Sequence, residues 1–354
     1  MLSDCTRQKT RASFDSGSDL DLTRESPGDN FFVGTVTAMN TMLLPLPALR
    51  WLVALLAVVC GTTGCSIKRL AVNKLGDALA GGGTTFASDD DPELIQAAVP
   101  FSLKLMESLL SESPKHQGLL FATSSGFTQY GYAFVQQEAE ELEAENLTRA
   151  RQLQLRARRL YVRARDYGLR GLEVRHPGFR LRLNDNPKAA VKKLRQADVP
   201  LLYWSAVSWT AAIAVAKDHP DFVADLPKVE AMIDRALVLD ESWDHGAIHG
   251  FLIAFEMGRA TGEGDRVERS RRHFQRAVEL SGGKQAGPYL SFAESVCIEQ
   301  EDRAQFLQLL QTALAINPDE QPATRLVNLV MQRRARWLLS RVDKLFLPPL
   351  ESNP

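Results

Sequence analysis

The sequence predicts an all-α fold, an array of helix pairs wound as an α-α superhelix, carried behind an N-terminal export signal. Three observations predict it. First, the run from Leu201 to Ala216, LLYWSAVSWTAAIAVA, has sixteen residues and no charge. It is too long, too Ala-rich and too free of period-two alternation for a strand, whereas Ala and Leu favour helix. It also falls short of the roughly 18 apolar residues of a membrane span. A helix apolar all round is normally enclosed by other helices, so this run is expected at the centre of the domain. Second, the segment Gly118–Glu145 ends in a cluster of acids, and the segment after it, Arg149–Arg175, carries nine arginines against one aspartate and one glutamate. That reversal fits an antiparallel helical hairpin. Third, a bulky–small–turn pattern at helix ends recurs three times in the last third of the chain.

Bulk properties set the frame. The chain has 354 residues with a formal net charge of −1, which gives no general pull toward nucleic acid or an anionic surface. Cys5, Cys60, Cys65 and Cys297 form no CxxC pair and no Cys/His metal spacing.

Residues 1–38 are polar and aperiodic, an extension expected to be disordered or to precede the true start at Met39 or Met42. Residues 39–64 read as a signal peptide. Arg50 is its positive region, Trp51–Val59 its apolar core and Gly64–Cys65 its small-residue cleavage site. The pattern resembles the bacterial lipoprotein signal, in which the cysteine after a small residue is acylated. Cys65 is therefore the expected lipid attachment, although Thr62 stands where leucine is usual. Cys60, preceded by Val59, fits less well. Ser66 after the cysteine favours the outer membrane. A plain secretory signal is the alternative. No other cofactor is expected.

Residues 65–88 form an anchor segment with a Gly-rich joint. Ile67, Leu70, Val72, Leu75 and Leu79 space a short amphipathic helix, and Gly81-Gly82-Gly83 breaks it. No Lys-Ser/Thr follows to make that glycine run a phosphate cradle. From 89 to 347 the chain is expected to be one helical domain. Asp91 caps a helix with Pro92 at its first position; the neighbouring acids lack the alternation of a calcium loop. Ser113-Pro114 closes it. The hairpin folded at Asn146-Leu147-Thr148 would bring Glu138, Glu140, Glu141, Glu143 and Glu145 near Arg149–Arg159. This reading is preferred over nucleic-acid binding by an Arg-rich helix. His176-Pro177-Gly178 ends the arm, a polar connection follows, and a helix Lys188–Gln196 leads through Pro200 into the uncharged run. His219-Pro220 stops that run, and Leu226–Asp240 is amphipathic. Residues 348–354 are a tail.

The recurring helix ends are Ile233-x-x-Ala236 to Asp240, Phe274-x-x-Ala277 to Ser281, and Leu310-x-x-Ala313 to Pro318, with alanines 41 and 36 residues apart. A bulky residue, a small one three later and a turn characterise the second helix of a tetratricopeptide repeat, where the small residue admits a close partner. The array is therefore tetratricopeptide-like, with irregular spacing. Gly246–Met257 and Pro288–Gln300 are the matching first helices. The region Pro322–Phe346, with Leu326, Val330, Trp337, Leu338, Val342 and Leu345, is expected to cover the open end.

No catalytic or nucleotide motif is present, and no enzyme is expected. His245 and His249 share a helix face, but the acid a metalloprotease needs between them is missing, so no metal site is expected. Cys297 reads as a buried small hydrophobe. Tyr203, Trp204, Trp209, Phe251, Tyr289 and Phe292 read mostly as core, with the sharper option that they line an apolar ligand cavity between helix pairs.

The segments YWSAVSWTAAIAVAKDHP, RALVLDESWDHGAIHGFLIAFE, SRRHFQRAVELSGGKQAGPYLSFAESVCIEQED and the C-terminal FLQLLQTALAINPDEQPATRLVNLVMQRRARWLLSRVDKLF, taken together with Cys65, resemble the TatT family. These are T components of tripartite ATP-independent periplasmic (TRAP) transporters. The resemblance covers essentially Cys65–Leu347. It implies a lipid-anchored, periplasm-facing helical scaffold in a Gram-negative envelope, docking the substrate-binding P component. Homo-oligomers are within its scope, and it implies no catalytic residue. The alternative function is a general tetratricopeptide lipoprotein of envelope assembly that binds only proteins.

Overall fold

The computed structural model describes residues 72–81, 83–216 and 223–347. The segments expected to be an N-terminal extension and a signal peptide lie outside the described residues, as do Cys65, His219-Pro220 and residues 348–354. Among the described residues every regular element is helical, and no helix is long and apolar enough to cross a membrane. The all-α expectation holds.

Among the described residues the first helical stretch, α1, covers 72–81, and a short α2 (Gly83–Ala87) follows. Helix α3 (Pro92–Glu112) starts as its sequence dictates: the Asp91 carboxylate accepts from the N–H groups of Glu93 and Leu94, satisfying two of the orphan donors of the first turn. Helix α4 (Gln117–Gly131) is capped by the His116 side chain, then widens into a π-helical turn at Tyr132–Gln136 that runs on into α5 (Gln137–Leu142). Asn146 caps α6 (Leu147–Arg175) by accepting from Arg149 N–H at 3.0 Å.

The hairpin forms where the sequence folds it, but with different chemistry from that expected. Of the anticipated Glu–Arg contacts, Arg149 to Glu138 at 4.0 Å is the one that forms among the described residues. The α6 arginines lean instead on aromatic rings: Arg163 over Phe127, Arg165 over Trp209, Arg156 over Tyr130. A guanidinium is planar and weakly hydrated, so it stacks well on aromatic faces.

Beyond His176 the expected polar connection is a helix, α7 (Phe179–Asp185), which buries Phe179 and Leu183. Two apolar residues four apart in a basic stretch were enough to seat it. Helix α8 (Pro187–Val191) is shorter than expected and is followed by a 3-10 turn at Gln196–Asp198. The uncharged run forms α9 (Val199–Ala214). It packs against α4, α6 and α10 (Leu226–Leu239). Along the α6–α9 pair, Arg175 meets Asp198, Gly171 meets Leu201, Gly168 meets Ser205 and Arg165 meets Trp209. Positions rise on one helix as they fall on the other, so the pair is antiparallel. At Gly168 a Cβ would collide with Ser205 Oγ and lie 2.9 Å from Ser124 Oγ. Glycine is what lets three helices meet there. Gly168→Ala is expected to cost about 1–3 kcal/mol through overpacking, read as a lowered urea midpoint with an unchanged denaturant slope. An unchanged midpoint would show that the helices have room to move apart.

Helix α11 (Trp243–Gly258) begins with Asp244, His245 and Gly246 at positive φ, so regular helix starts at Ala247. It pairs with α12 (Arg266–Leu280): Glu256 meets Arg269, Ile253 meets Ser270, and His249 meets His273, an antiparallel register. Helix α13 (Ala286–Phe292) runs into a second π-helical turn at Ala293–Cys297. Helices α14 (Arg303–Ala315), α15 (Arg325–Leu339) and the short α16 (Val342–Leu345) complete the chain.

The core is divided. One apolar cluster surrounds α9; a second is built from α12 to α16; α11 serves both, giving Ile248 and Leu252 to the first and Ile253 and Met257 to the second. The uncharged run is central to the first cluster, and its C-terminal end, Ala211, Ala212 and Val215, reaches into a third. Helix α15 also does more than cover an end. Its Leu326 and Val330 join this third cluster with Ile95, Tyr130 and Phe134, and Arg325 and Arg333 donate to the carbonyls of Ser88 and Ala133. The last long helix thus returns to the first ones.

Candidate functional site

The six aromatics singled out in the sequence fall into two groups. Tyr203 and Trp204 sit edge to face on α9, with ring centroids 5.1 Å apart. Tyr203 also meets Trp243 at 4.8 Å and Phe251 at 6.4 Å, and Phe251 stacks on Phe255 at 5.2 Å. Trp209 lies one to two turns further along α9, 4% exposed, with the Arg165 guanidinium 5.0 Å and the Lys228 ammonium 5.6 Å from its ring centroid. Tyr289 and Phe292 belong to the other cluster, around Phe274 at 5.7 and 4.8 Å. The α9 group holds four of the six. Trp204 and Phe251 are half-buried and Tyr203 is buried, its phenol pushed up by burial.

A stripe of small polar side chains runs beside the aromatics, between α4, α6 and α9: Thr123, Ser124, Thr128, Ser205 and Ser208 are all buried. Several of their hydroxyls are returned to the backbone, Ser124 to Ala164 O at 2.9 Å and Ser208 to Trp204 O at 2.7 Å. At the start of α9, Asp198 gathers His176 Nε2 at 2.9 Å, Arg175 Nη1 at 3.2 Å and the N–H of Arg195 at 2.9 Å. Burial pushes its carboxyl up, but these donors win and hold it below the usual range. His176, legible in the sequence only as a helix stop, in fact fixes the entry to α9. A groove of about 230 Å³ opens nearby between Gln117, Phe121, Arg175, Pro200 and Leu201.

The second feature was not visible in the sequence. Arg334 of α15, 7% exposed, reaches two half-buried carboxylates at once: Glu140 of α5 at 2.6 Å and Glu294 in the second π-helical turn at 2.7 Å. Its guanidinium also lies 4.3 Å from the Trp337 ring centroid. Tyr132, which opens the first π-helical turn, sits in the same surroundings, its phenol pushed far up by burial and by Glu294. Arg333 donates to Gln137 Oε1 at 3.3 Å. Both π-helical turns therefore flank one charged centre that ties residues 132–142 to residues 294–337. Such turns are frequent at functional sites.

The histidines resolve differently from their spacing. His245 sits on the left-handed turn, while His249 Nδ1 faces His273 Nδ1 at 2.8 Å and its Nε2 faces Glu241 at 3.2 Å. Burial lowers both rings of the pair, His273 to about 4, so at neutral pH one ring N–H donates to the other ring. No group of three or more His, Cys, Asp or Glu suited to a metal ion occurs among the described residues. Cys297 is buried, its thiol pushed up to about 12 by burial, which makes it inert packing.

The sequence as a whole is similar to known proteins. The family model described as TRAP transporter T-component matches residues 88–346, which is nearly all of the described helical region. An uncharacterized protein of Treponema pallidum (strain Nichols) is 29% identical over 309 residues, covering 80% of this chain and 94% of that protein.

Proposed function

The chain belongs to the TRAP transporter T-component family, and from that premise we propose that it is the lipid-anchored scaffold of a TRAP uptake system. In this reading it faces the periplasm from the outer membrane, docks the substrate-binding P component, and holds or passes an apolar ligand beside α9. The observation that carries the reading is the family match across residues 88–346. What supports the scaffold role is the succession of antiparallel helix pairs, α11 with α12 and α14 with α15, which we read as a tetratricopeptide-like array. In the second pair Gln332 of α15 donates to the carbonyls of Ala313 and Ile316 at the end of α14. What supports a ligand beside α9 is the half-buried Trp204–Phe251 edge of its aromatic group next to the polar stripe. Cys65 is proposed as the lipid attachment and the route to the membrane.

Affinity purification of the tagged protein from its own envelope tests the docking. A TRAP solute-binding protein should be recovered with it. Recovery of outer-membrane assembly factors in its place would favour the general envelope-assembly reading and end this one. The anchor is tested separately. The wild-type protein should partition into detergent phase and carry acyl chains on Cys65 by mass spectrometry, and Cys65→Ala should carry none. An intact, unacylated Cys65 in the mature protein would sink the anchor.

A further inference from the structure

We propose that a groove on α6 is a docking surface for anionic phospholipid headgroups, a second membrane contact beside the lipid anchor. The inference rests on the anchor reading above for its location, and on the following geometry for its chemistry.

The groove, about 580 Å³, is lined by Arg158, Arg159, Arg163, Arg170 and Arg180 with a single acid, Asp166. That acid is already engaged, since Arg165 holds it through Nε and Nη2 at 3.0 and 2.9 Å. Arg159 and Arg170 make no ion pair among the described residues. Arg163 reaches Glu107 only at 3.5 Å and stays 46% exposed. Arg159 and Arg170 thus stand without an ion pair on a concave surface that Arg158, Arg163 and Arg180 also line, and positive charge outnumbers negative along it. Like charges so gathered repel one another, and an arginine fork suits phosphate oxygens in particular.

Two further observations favour a lipid surface over a soluble anion or an acidic protein. The basic residues are accompanied by exposed leucines: Leu155, 50% exposed, lies one helical turn before Arg159, and Leu181, 76% exposed, follows Arg180. Basic side chains beside exposed Leu mark membrane-surface helices. The groove is also close to the expected anchor. Its lining residue Tyr167 packs in one apolar cluster with Val72 and Leu79 of α1. Val72 is seven residues beyond Cys65, a span of at most about 25 Å even fully extended. An acylated Cys65 would therefore hold this part of the chain near the bilayer, where a polybasic patch adds a second, salt-sensitive attachment.

The test uses the chain from residue 65 onward with Cys65→Ala, the form left after signal removal but without lipid, whose described residues form their own cores. Flotation is measured with vesicles of phosphatidylcholine alone and of phosphatidylcholine mixed with phosphatidylglycerol. Binding is expected only to the mixed vesicles, falling as salt rises. Arg159→Glu with Arg170→Glu should weaken it by about tenfold or more while leaving the thermal unfolding curve in place. A matched double reversal on a distant helix, Arg271→Glu with Arg272→Glu, should leave binding intact. Equal binding to both vesicle types, loss of binding to millimolar inorganic phosphate, preference for polyglutamate over vesicles, or indifference to the Arg159/Arg170 reversal would each overturn the proposal. Finding Cys65 unacylated in the native protein would overturn the anchor reading while leaving the vesicle result interpretable, so the two failures are distinguishable.

Discussion

Arg334→Met is expected to lower folding stability by about 2–4 kcal/mol at neutral pH, and to lose less at acid pH. Removing one partner of a buried ion pair typically costs about 3–5 kcal/mol because the other charge is left uncompensated. Here both carboxylates keep some contact with solvent, which lowers the expectation by about 1 kcal/mol. The pH dependence follows from Glu294. Burial pushes its carboxyl above the ordinary glutamate value, against the pull of Arg334. A carboxyl raised in the folded state binds its proton there before it does in the unfolded chain, so stability rises as pH falls through the window between the two values. Without Arg334 the carboxyl is pushed further up and the window widens. Acidification should therefore recover part of the loss in the variant relative to wild type. Urea unfolding of both proteins at neutral and mildly acid pH measures it. Adding Glu140→Gln and Glu294→Gln to Arg334→Met should restore much of the stability, since neutral neighbours leave no stranded charge. A loss independent of pH and unaffected by the two amide substitutions would mean that Arg334 contributes through packing on Trp337 rather than through charge.

That centre also shows where sequence reasoning stops. The α9 run, the Asp91 and Asn146 caps and the recurring Ala236, Ala277 and Ala313 could be read because each signal is local: a missing charge, a capping oxygen, a small residue at helical spacing. All three alanines are buried where a partner helix approaches. Arg334 and Glu140 are almost two hundred residues apart, and each stands in a charged stretch that reads as a solvated face. Nothing in QRRARW or EAEELEAE indicates that one residue of each turns inward. The π-helical turns are equally silent, because one extra residue in a helical turn leaves the composition unchanged. The aromatic site was half legible for a related reason. The missing charge of the run marks Tyr203 and Trp204 as core, but the sequence does not show that α11 feeds two cores at once and so separates Phe251 from the cluster of Tyr289 and Phe292. Tyr289 and Phe292 consequently stand apart from the other four.

Trp209→Ala and Trp204→Ala should separate core from ligand wall on α9. Trp209 is enclosed, and truncating a buried tryptophan to alanine typically costs about 3–5 kcal/mol. Here the loss includes two cation–ring contacts, to Arg165 and Lys228, whose charges would then face a cavity. Its indole N–H has no hydrogen-bond partner among the described residues, and an unpaired buried donor is itself unfavourable by about 1–3 kcal/mol. Trp209→Phe removes that donor and keeps an aromatic face for both cations, so it should lose much less than the alanine variant. Trp204 is half-buried and leans on Tyr203, so its truncation should cost less than that of Trp209. If α9 borders an apolar passage, Trp204→Ala should at the same time alter the affinity of an apolar fluorescent probe, while Trp209→Phe leaves it unchanged. The two effects are independent readouts: unfolding midpoints report packing, and probe titration of the folded variants reports access. Full stability of Trp209→Ala would remove Trp209 from the core. Unchanged probe binding by a well-folded Trp204→Ala would remove the ligand from α9, leaving the run as the structural centre of a scaffold whose function lies in what it docks.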